Sequence, residues 1–282
     1  MSGQSNPEIG RTVEHGGFAT NYHDVGSGRP VLLLHGSGPG VSAFANWRLT
    51  MGALSTRYRV LAPDLAGFGF TKVPAGVTYS RQVWLDQIVG FLDAVGVERA
   101  QVVGNSFGGS MALALAIARP ERVGRLVLMG SVGVPFEISQ GLDAVWGYEP
   151  SIDTMRSLMR DTFAYDPGLV TEDLVRMRYE ASLRPGAQEA FASMFPAPRQ
   201  RWVDAMAHPE ASIRGIPHPT LIIHGRDDKV IPLTTSTTLH EWIDDSQLHV
   251  FGRCGHWTQI EHHESFCRLV AGFLGQDLAP RG

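Results

Sequence analysis

A chain of 282 residues with 43% hydrophobic content is long enough to bury a large α/β core, which excludes disordered and fibrous classes. Its 24 basic and 28 acidic residues give a formal charge of −4 and are mixed along the chain, which argues against nucleic acid or an acidic membrane as partner. Cys254 and Cys267 fit neither a disulfide framework nor a metal spacing, and the opening MSGQSNPEIG lacks the basic and apolar regions of an export signal, so a cytoplasmic protein is expected.

The first predicted strand is PVLLLHG at 30–36, followed by YRVLAPD at 58–64. The next segment predicts a helix over 80–95, with Ser80 as N-cap, Val83, Trp84, Ile88, Phe91, Leu92 and Val95 at helical spacing, and Gly96 as its stop. Only Gln87 interrupts that apolar face. QVVGN at 101–105 and RLVLMG at 125–130 are further strands. PTLIIHG at 219–225 and QLHVFG at 247–252 follow after a long gap, and a last helix is expected over 261–274. Near-continuous apolar strands alternating with helices predict an α/β fold with a mostly parallel central sheet covered on both faces.

The gap at 136–208 has no apolar strand, yet it is rich in Trp, Met and Phe and broken by prolines. It is too long for a structureless loop and too apolar for a linker. A helical cap is expected there, inserted between core segments 1–135 and 209–282.

Gly104-Asn105-Ser106-Phe107-Gly108 is a G-x-S-x-G sequence between a strand and a helix, the context of a nucleophile elbow. Ser106 would sit at the apex in a strained conformation, beside the N-terminus of the helix that follows. A serine hydroxyl needs a base, and the base an orienting acid, in the chain order Ser, Asp or Glu, His. His256, in the loop GRCGHW after the last strand, is the candidate base. In HGRDDKVIP the spacing from Gly225 to Pro232 favours Asp228 over Asp227 as the acid. The loop HGSGPG at 35–40 lies where the second oxyanion donor belongs, so the N–H groups of Ser37 and Phe107 would form the hole. Its glycine spacing does not match a dinucleotide fingerprint, and Pro39 removes an N–H. No cofactor or metal is implied.

HGSGPG, APDLAGFG, VGNSFGG, HGRDDKVIP and GRCGHWTQIE together resemble the α/β-hydrolase family, and within it the meta-cleavage product hydrolases. The resemblance runs from NPEIG at 6–10, through LDAVWGY, MRYEAS and MFPAPRQRW, to the last helix. It implies hydrolysis of a carbon–carbon bond in a 2-hydroxy-6-oxohexa-2,4-dienoate, such as 2-hydroxymuconate semialdehyde or a 6-alkyl analogue. The products would be 2-hydroxypenta-2,4-dienoate and a small acid. It also implies that Arg184 grips the carboxylate end, with Arg178 as rival, and that Asn46, Asn105 and Trp257 line the same half of the pocket. Ser131, Ile138, Trp146 and Val230 match positions that would bound the substituent on the C6 carbonyl. A small-molecule substrate and a homodimer are expected. A carboxylesterase and a triad-bearing ligand receptor share the same motifs; a second cationic subsite separates the first from the resemblance, and turnover separates the second.

Overall fold

The computed structural model describes residues 6–276. Eight strands form one sheet: β1 (Arg11–His15), β2 (Phe18–Val25), β3 (Pro30–Leu34), β4 (Arg59–Pro63), β5 (Ala100–Asn105), β6 (Val123–Met129), β7 (Thr220–Gly225) and β8 (Ser246–Phe251). Their order is β1-β2-β4-β3-β5-β6-β7-β8, with β3 to β8 parallel, β2 antiparallel to β4, and β1 antiparallel to β2. This is the mostly parallel central sheet with helices on both faces expected from the strand and helix rhythm.

The hairpin is absent from the sequence expectation. RTVEH is half-exposed and FATNYHDV mixes polar with apolar side chains, so neither has the continuous apolar run that marked the inner strands. The inner strands have that run because both faces are covered. Along β3, Val31 and Leu33 point to one core layer and Leu32 and Leu34 to the other, all fully buried. Each such side chain stabilises the fold by about 1.5–3 kcal/mol relative to exposure.

Helices α1 (Ala43–Leu54), α2 (Arg81–Ala94) and α3 (Phe107–Ala118) follow β3, β4 and β5. Ser80 caps α2 by accepting the Val83 N–H, as its sequence predicts. Gln87 breaks the apolar face of α2 for a reason: its buried amide accepts the Ala66 N–H and donates to the Asp64 carbonyl and Thr20 hydroxyl. It satisfies the backbone of a loop that would otherwise be buried unpaired.

Between β6 and β7 lie α4 (Gln140–Trp146), α5 (Ile152–Ser157), α6 (Glu172–Ser182), α7 (Ala187–Met194), α8 (Gln200–Met206) and α9 (Glu210–Arg214). A single π-helical turn, Leu158–Phe163, continues α5. The chain returns to the core where Ser110 and Arg81 donate to the Met206 and Ala207 carbonyls and the His208 N–H donates to Gly133. The last helices are α10 (Leu233–Trp242), α11 (Thr258–Glu261) and α12 (His263–Leu274); α12 is the expected final helix, starting two residues later than 261, and the short α11 precedes it.

Every loop named as chemically important leaves the carboxyl end of a parallel strand: 35–42 after β3, Ser106 after β5, Asp228 after β7 and His256 after β8. Ligand sites of open α/β sheets lie on that side.

Candidate active site

The turn after β5 is built by close approach. A Cβ on Gly104 would come within 2.4 Å of the Gly108 carbonyl, and one on Gly108 within 2.3 Å of the Leu34 carbonyl. Between them Ser106 has φ 54° and ψ −116°. A non-glycine residue there costs on the order of 1–3 kcal/mol. The turn is held by the Ser106 N–H donating to Met129 at 2.8 Å and by its carbonyl accepting from Gly109 and Val132. Phe107 is the first residue of α3, so its N–H has no partner within the helix.

Asp228 and His256 are paired. The His256 Nδ1 lies 2.7 Å from Asp228 Oδ2, while Asp228 Oδ1 accepts the N–H groups of Val230 at 2.7 Å and Ile231 at 3.0 Å. Burial pushes the Asp228 carboxyl up, but the charge and hydrogen bond of His256, helped by His224, overcome it and hold the group below the usual carboxylate range. Burial lowers the His224 imidazole, with Asp228 acting against it; its Nε2–H donates to the Ile231 carbonyl and its Nδ1 accepts from Ser236. Asp227 instead accepts the Cys254 N–H, 3.4 Å away, and faces Arg226. With Nδ1 committed to Asp228, His256 has Nε2 left for chemistry in the cavity it shares with Ser106.

The histidine loop is clasped by one carboxylate. Glu261 Oε1 accepts the Gly255 N–H at 2.8 Å, and Oε2 accepts the N–H groups of Tyr165 and Asp166. The His256 N–H donates to Phe163, whose ring stacks on Trp257 at 5.1 Å. The segment after the π-turn and the base are thereby one unit.

The 35–42 loop is pinned from both sides. Burial lowers the His35 imidazole to about 4, so it stays neutral, accepting the Leu65 N–H at Nε2 and bonding the Gly36 carbonyl through Nδ1. The Ser37 hydroxyl accepts the indole N–H of Trp146 at 2.9 Å.

Ser37, Asn46, Asn105, Ser106, Val230, His256 and Trp257 all border one narrow cavity of about 60 Å³. Its other walls include Leu142, Val145, Met155, Met159 and Phe163, an apolar set from the segment between β6 and β7. Flexible Met side chains let such a pocket adapt to what enters.

Four expectations are corrected by the geometry. Arg184 lies two residues beyond the last residue of α6, stacked over the Phe70 ring at 4.1 Å and outside this cavity. Arg178, its rival, borders the cavity and donates to the Gly40 carbonyl at 2.8 Å. Trp146 lies flat on Phe195, ring centres 4.3 Å apart, and reaches the site only through Ser37. Ser131 is buried against Gly109, and Ile138 is tied through its N–H to Gln200; neither borders the cavity.

Sequence reasoning missed Arg48, Gln259 and the Met155–Met159 pair as cavity residues. The four-residue spacing of Met155 to Met159, and of Leu174 to Arg178, was the available signal, since such residues share a helix face. Burial lowers the Arg178 guanidinium to about 10, with Arg48 and Arg184 adding to the effect against Glu8. A part-buried cation facing a neutral carbonyl is a place for an anion.

An alpha/beta hydrolase fold family model matches residues 29–263. The chain is 60% identical over 273 residues to the 2-hydroxymuconate semialdehyde hydrolase of Pseudomonas sp. (strain CF600), covering 97% of this chain and 96% of that one. It is 61% identical over 272 residues to the 2-hydroxy-6-oxo-2,4-heptadienoate hydrolase of Pseudomonas putida strain F1, covering 96% and 98%. The solved structure of the meta-cleavage product hydrolase CumD from Pseudomonas fluorescens IP01 superposes with a TM-score of 0.94 at 59% identity, over 95% of this chain and 98% of that one.

Proposed function

The chain belongs to the α/β-hydrolase family and, within it, to the meta-cleavage product hydrolases; from that premise we propose that it hydrolyses the C5–C6 bond of 2-hydroxy-6-oxohexa-2,4-dienoates carrying hydrogen or a small alkyl group at C6. The observation that carries this reading is one cavity bordered by Ser106, His256 and a part-buried guanidinium, Arg178. A simple ester gives that guanidinium nothing to bind, whereas a dienoate carboxylate accepts its bidentate fork.

A carbon–carbon bond breaks only if carbon leaves as a stabilised anion. The dienol must first become the 2-oxo-3-ene, its O2 proton lost and a proton gained at C5. Arg178 would hold the carboxylate, with Asn46, Asn105 and Trp257 around the 2-oxo group. Addition to the C6 carbonyl then occurs at or through Ser106, whose proton His256 takes at Nε2. The resulting oxyanion faces the N–H groups of Ser37 and Phe107. As the C5–C6 bond breaks, its electron pair flows into the 2-oxo-3-ene system, giving 2-hydroxypenta-2,4-dienoate after protonation; one water is consumed, either adding to C6 directly with Ser106 relaying its proton, or releasing the acyl group from Ser106 afterwards. The other product is formate or a small carboxylic acid. Asp228, held ionised, fixes the His256 tautomer and balances its charge.

The same reading treats 136–208 as a cap over core segments 1–135 and 209–282. Its apolar side chains wall the C6 end, with Val230 from the core beside them. The protein is further read as a cytoplasmic homodimer. Both cysteines are free and buried, which suits a reducing compartment, and β8 is an edge strand with Val250 exposed. Light scattering on the purified chain tests the dimer.

The experiment for the activity follows the visible absorbance of the yellow dienolate made from catechol. The protein should bleach it with release of formate, and Ser106→Ala should bind it while cleaving about 10³-fold more slowly or worse. Unchanged cleavage by Ser106→Ala would falsify the mechanism, and faster hydrolysis of simple esters than of any dienoate would overturn the substrate.

A further inference from the structure

Behind Arg178 lies a second, larger cavity of about 460 Å³. It shares Ala45, Arg48, Leu174 and Arg178 with the narrow cavity, so these four residues form the partition between the two. Its outer wall carries Arg184 and Glu8, with Glu180 exposed at the rim, against apolar Phe44 and Met177. The charged groups around this chamber are therefore three guanidiniums and two carboxylates.

Arg184 is held in place without being fully used. Its Nε–H donates to the Ala181 carbonyl at 3.0 Å and its planar face lies on Phe70. Its Nη1 approaches Glu8 Oε2 only to 3.8 Å, and both atoms are buried without a hydrogen-bond partner. A rigid guanidinium edge with an imperfect internal carboxylate is poised to exchange it for a better one. Arg48, Arg184 and Glu8 each lie within electrostatic reach of Arg178, and all four line the same chamber.

We infer, on the strength of the dienoate reading above, that this chamber is an outer anion site: the substrate's carboxylate is attracted by Arg184 and Arg48 before it settles on Arg178, and Glu8 is a resident competitor for Arg184. The narrow cavity lies beyond the partition, so a dienoate passing this way leads with its C6 end and trails its carboxylate. That order brings C6 to Ser106 and leaves the carboxylate at Arg178, the arrangement the chemistry needs. The flat apolar walls accept the conjugated chain meanwhile.

Glu8→Gln and Arg184→Gln break the same ion pair, yet the inference gives them opposite signs. The measurement is stopped-flow binding of the catechol-derived dienolate to full-length Ser106→Ala protein, alone and with each second substitution, at low and high salt. Near 20 mM ionic strength Arg184→Gln should slow association about fivefold and Glu8→Gln should speed it about twofold, and both differences should vanish near 0.5 M salt. Arg184→Lys should keep most of the parent rate, and the dienoate methyl ester should be indifferent to all three. Shifts of the same sign for the two Gln variants, or equal effects on the ester, identify a merely structural ion pair and overturn the outer site. Rates indifferent to both substitutions overturn it as well, leaving the substrate reading intact. Failure of the Ser106→Ala parent to bind the dienolate overturns that reading and the outer site with it.

Discussion

Asp64 and Asp228 both follow a sheet strand and both bury their carboxylates, yet they are driven in opposite directions. Asp64 accepts three neutral donors, the N–H groups of Ala43 and Phe70 and the Asn21 amide, all within 2.8 Å. Burial still lifts it to about 6, with Glu8 adding to the lift against those donors. Asp228 accepts two neutral donors and a histidine, and it falls below its ordinary range. Neutral hydrogen bonds alone do not offset the desolvation of the Asp64 carboxylate, whereas the histidine paired with Asp228 does offset it there. A shifted carboxyl is thus not by itself a catalytic one. Asp64 ties the start of α1 to Phe70 and β2, away from the cavity, while Asp228 holds the Nδ1 of His256, which borders it.

The largest expected effect breaks the ionic member. Asp228→Asn removes the charge that sets the His256 tautomer, and kcat should fall about 10³–10⁴-fold in the dienolate assay. The same change at Asp64 should leave turnover within a few-fold, and a comparable loss in both would erase the distinction. Arg178 is the cationic counterpart of Asp64, a part-buried charge facing a neutral carbonyl, except that a substrate carboxylate would complete it. Arg178→Gln should lower kcat/KM for the dienolate by about 100-fold, from the loss of a charge-assisted pair of roughly 3 kcal/mol. Hydrolysis of a neutral ester should change far less.

Stability should carry the two signs of shift. The raised Asp64 contributes stability that is present below the unfolded carboxyl range and is lost as pH rises towards about 6. The lowered Asp228 contributes stability present above that range and lost on acidification through its folded value. Thermal melts between pH 4 and 7 should therefore gain stability with pH more steeply in Asp64→Asn than in the parent; an unchanged slope would show that Asp64 does not hold its proton. The smallest effect belongs to a neutral bond. Trp146→Phe deletes the indole donor to Ser37, and kcat should drop only a few-fold, about 1 kcal/mol, with the melting temperature nearly kept.

Read along the chain, local signals and spatial ones part company. The inner strands, the capped α2 and the turn at Ser106 were legible because each depends on neighbours a few residues away: apolar runs, a Ser at an N-cap, glycines beside a serine. The choice between Asp227 and Asp228 was nearly legible for the same reason, since the carboxylate that reaches His256 also accepts the N–H groups of Val230 and Ile231 just after it. The β1–β2 hairpin was not, because a half-exposed strand shows no continuous apolar run.

Sequence alone determined the fold class, the elbow, and the short set from which base and acid had to come. Tertiary structure alone decided which arginine meets the pocket. Arg178 lies on the α6 face that shares Leu174's direction, whereas Arg184 comes after the helix ends and turns to Phe70 and Glu8. It likewise sent Trp146 to Ser37 rather than to the cavity wall, and brought Arg48 and Gln259 to that wall from distant segments. The physical reason is reach: periodicity and turn chemistry are set within about one helical turn, but the direction of a long side chain is set by what packs against it from elsewhere in the chain.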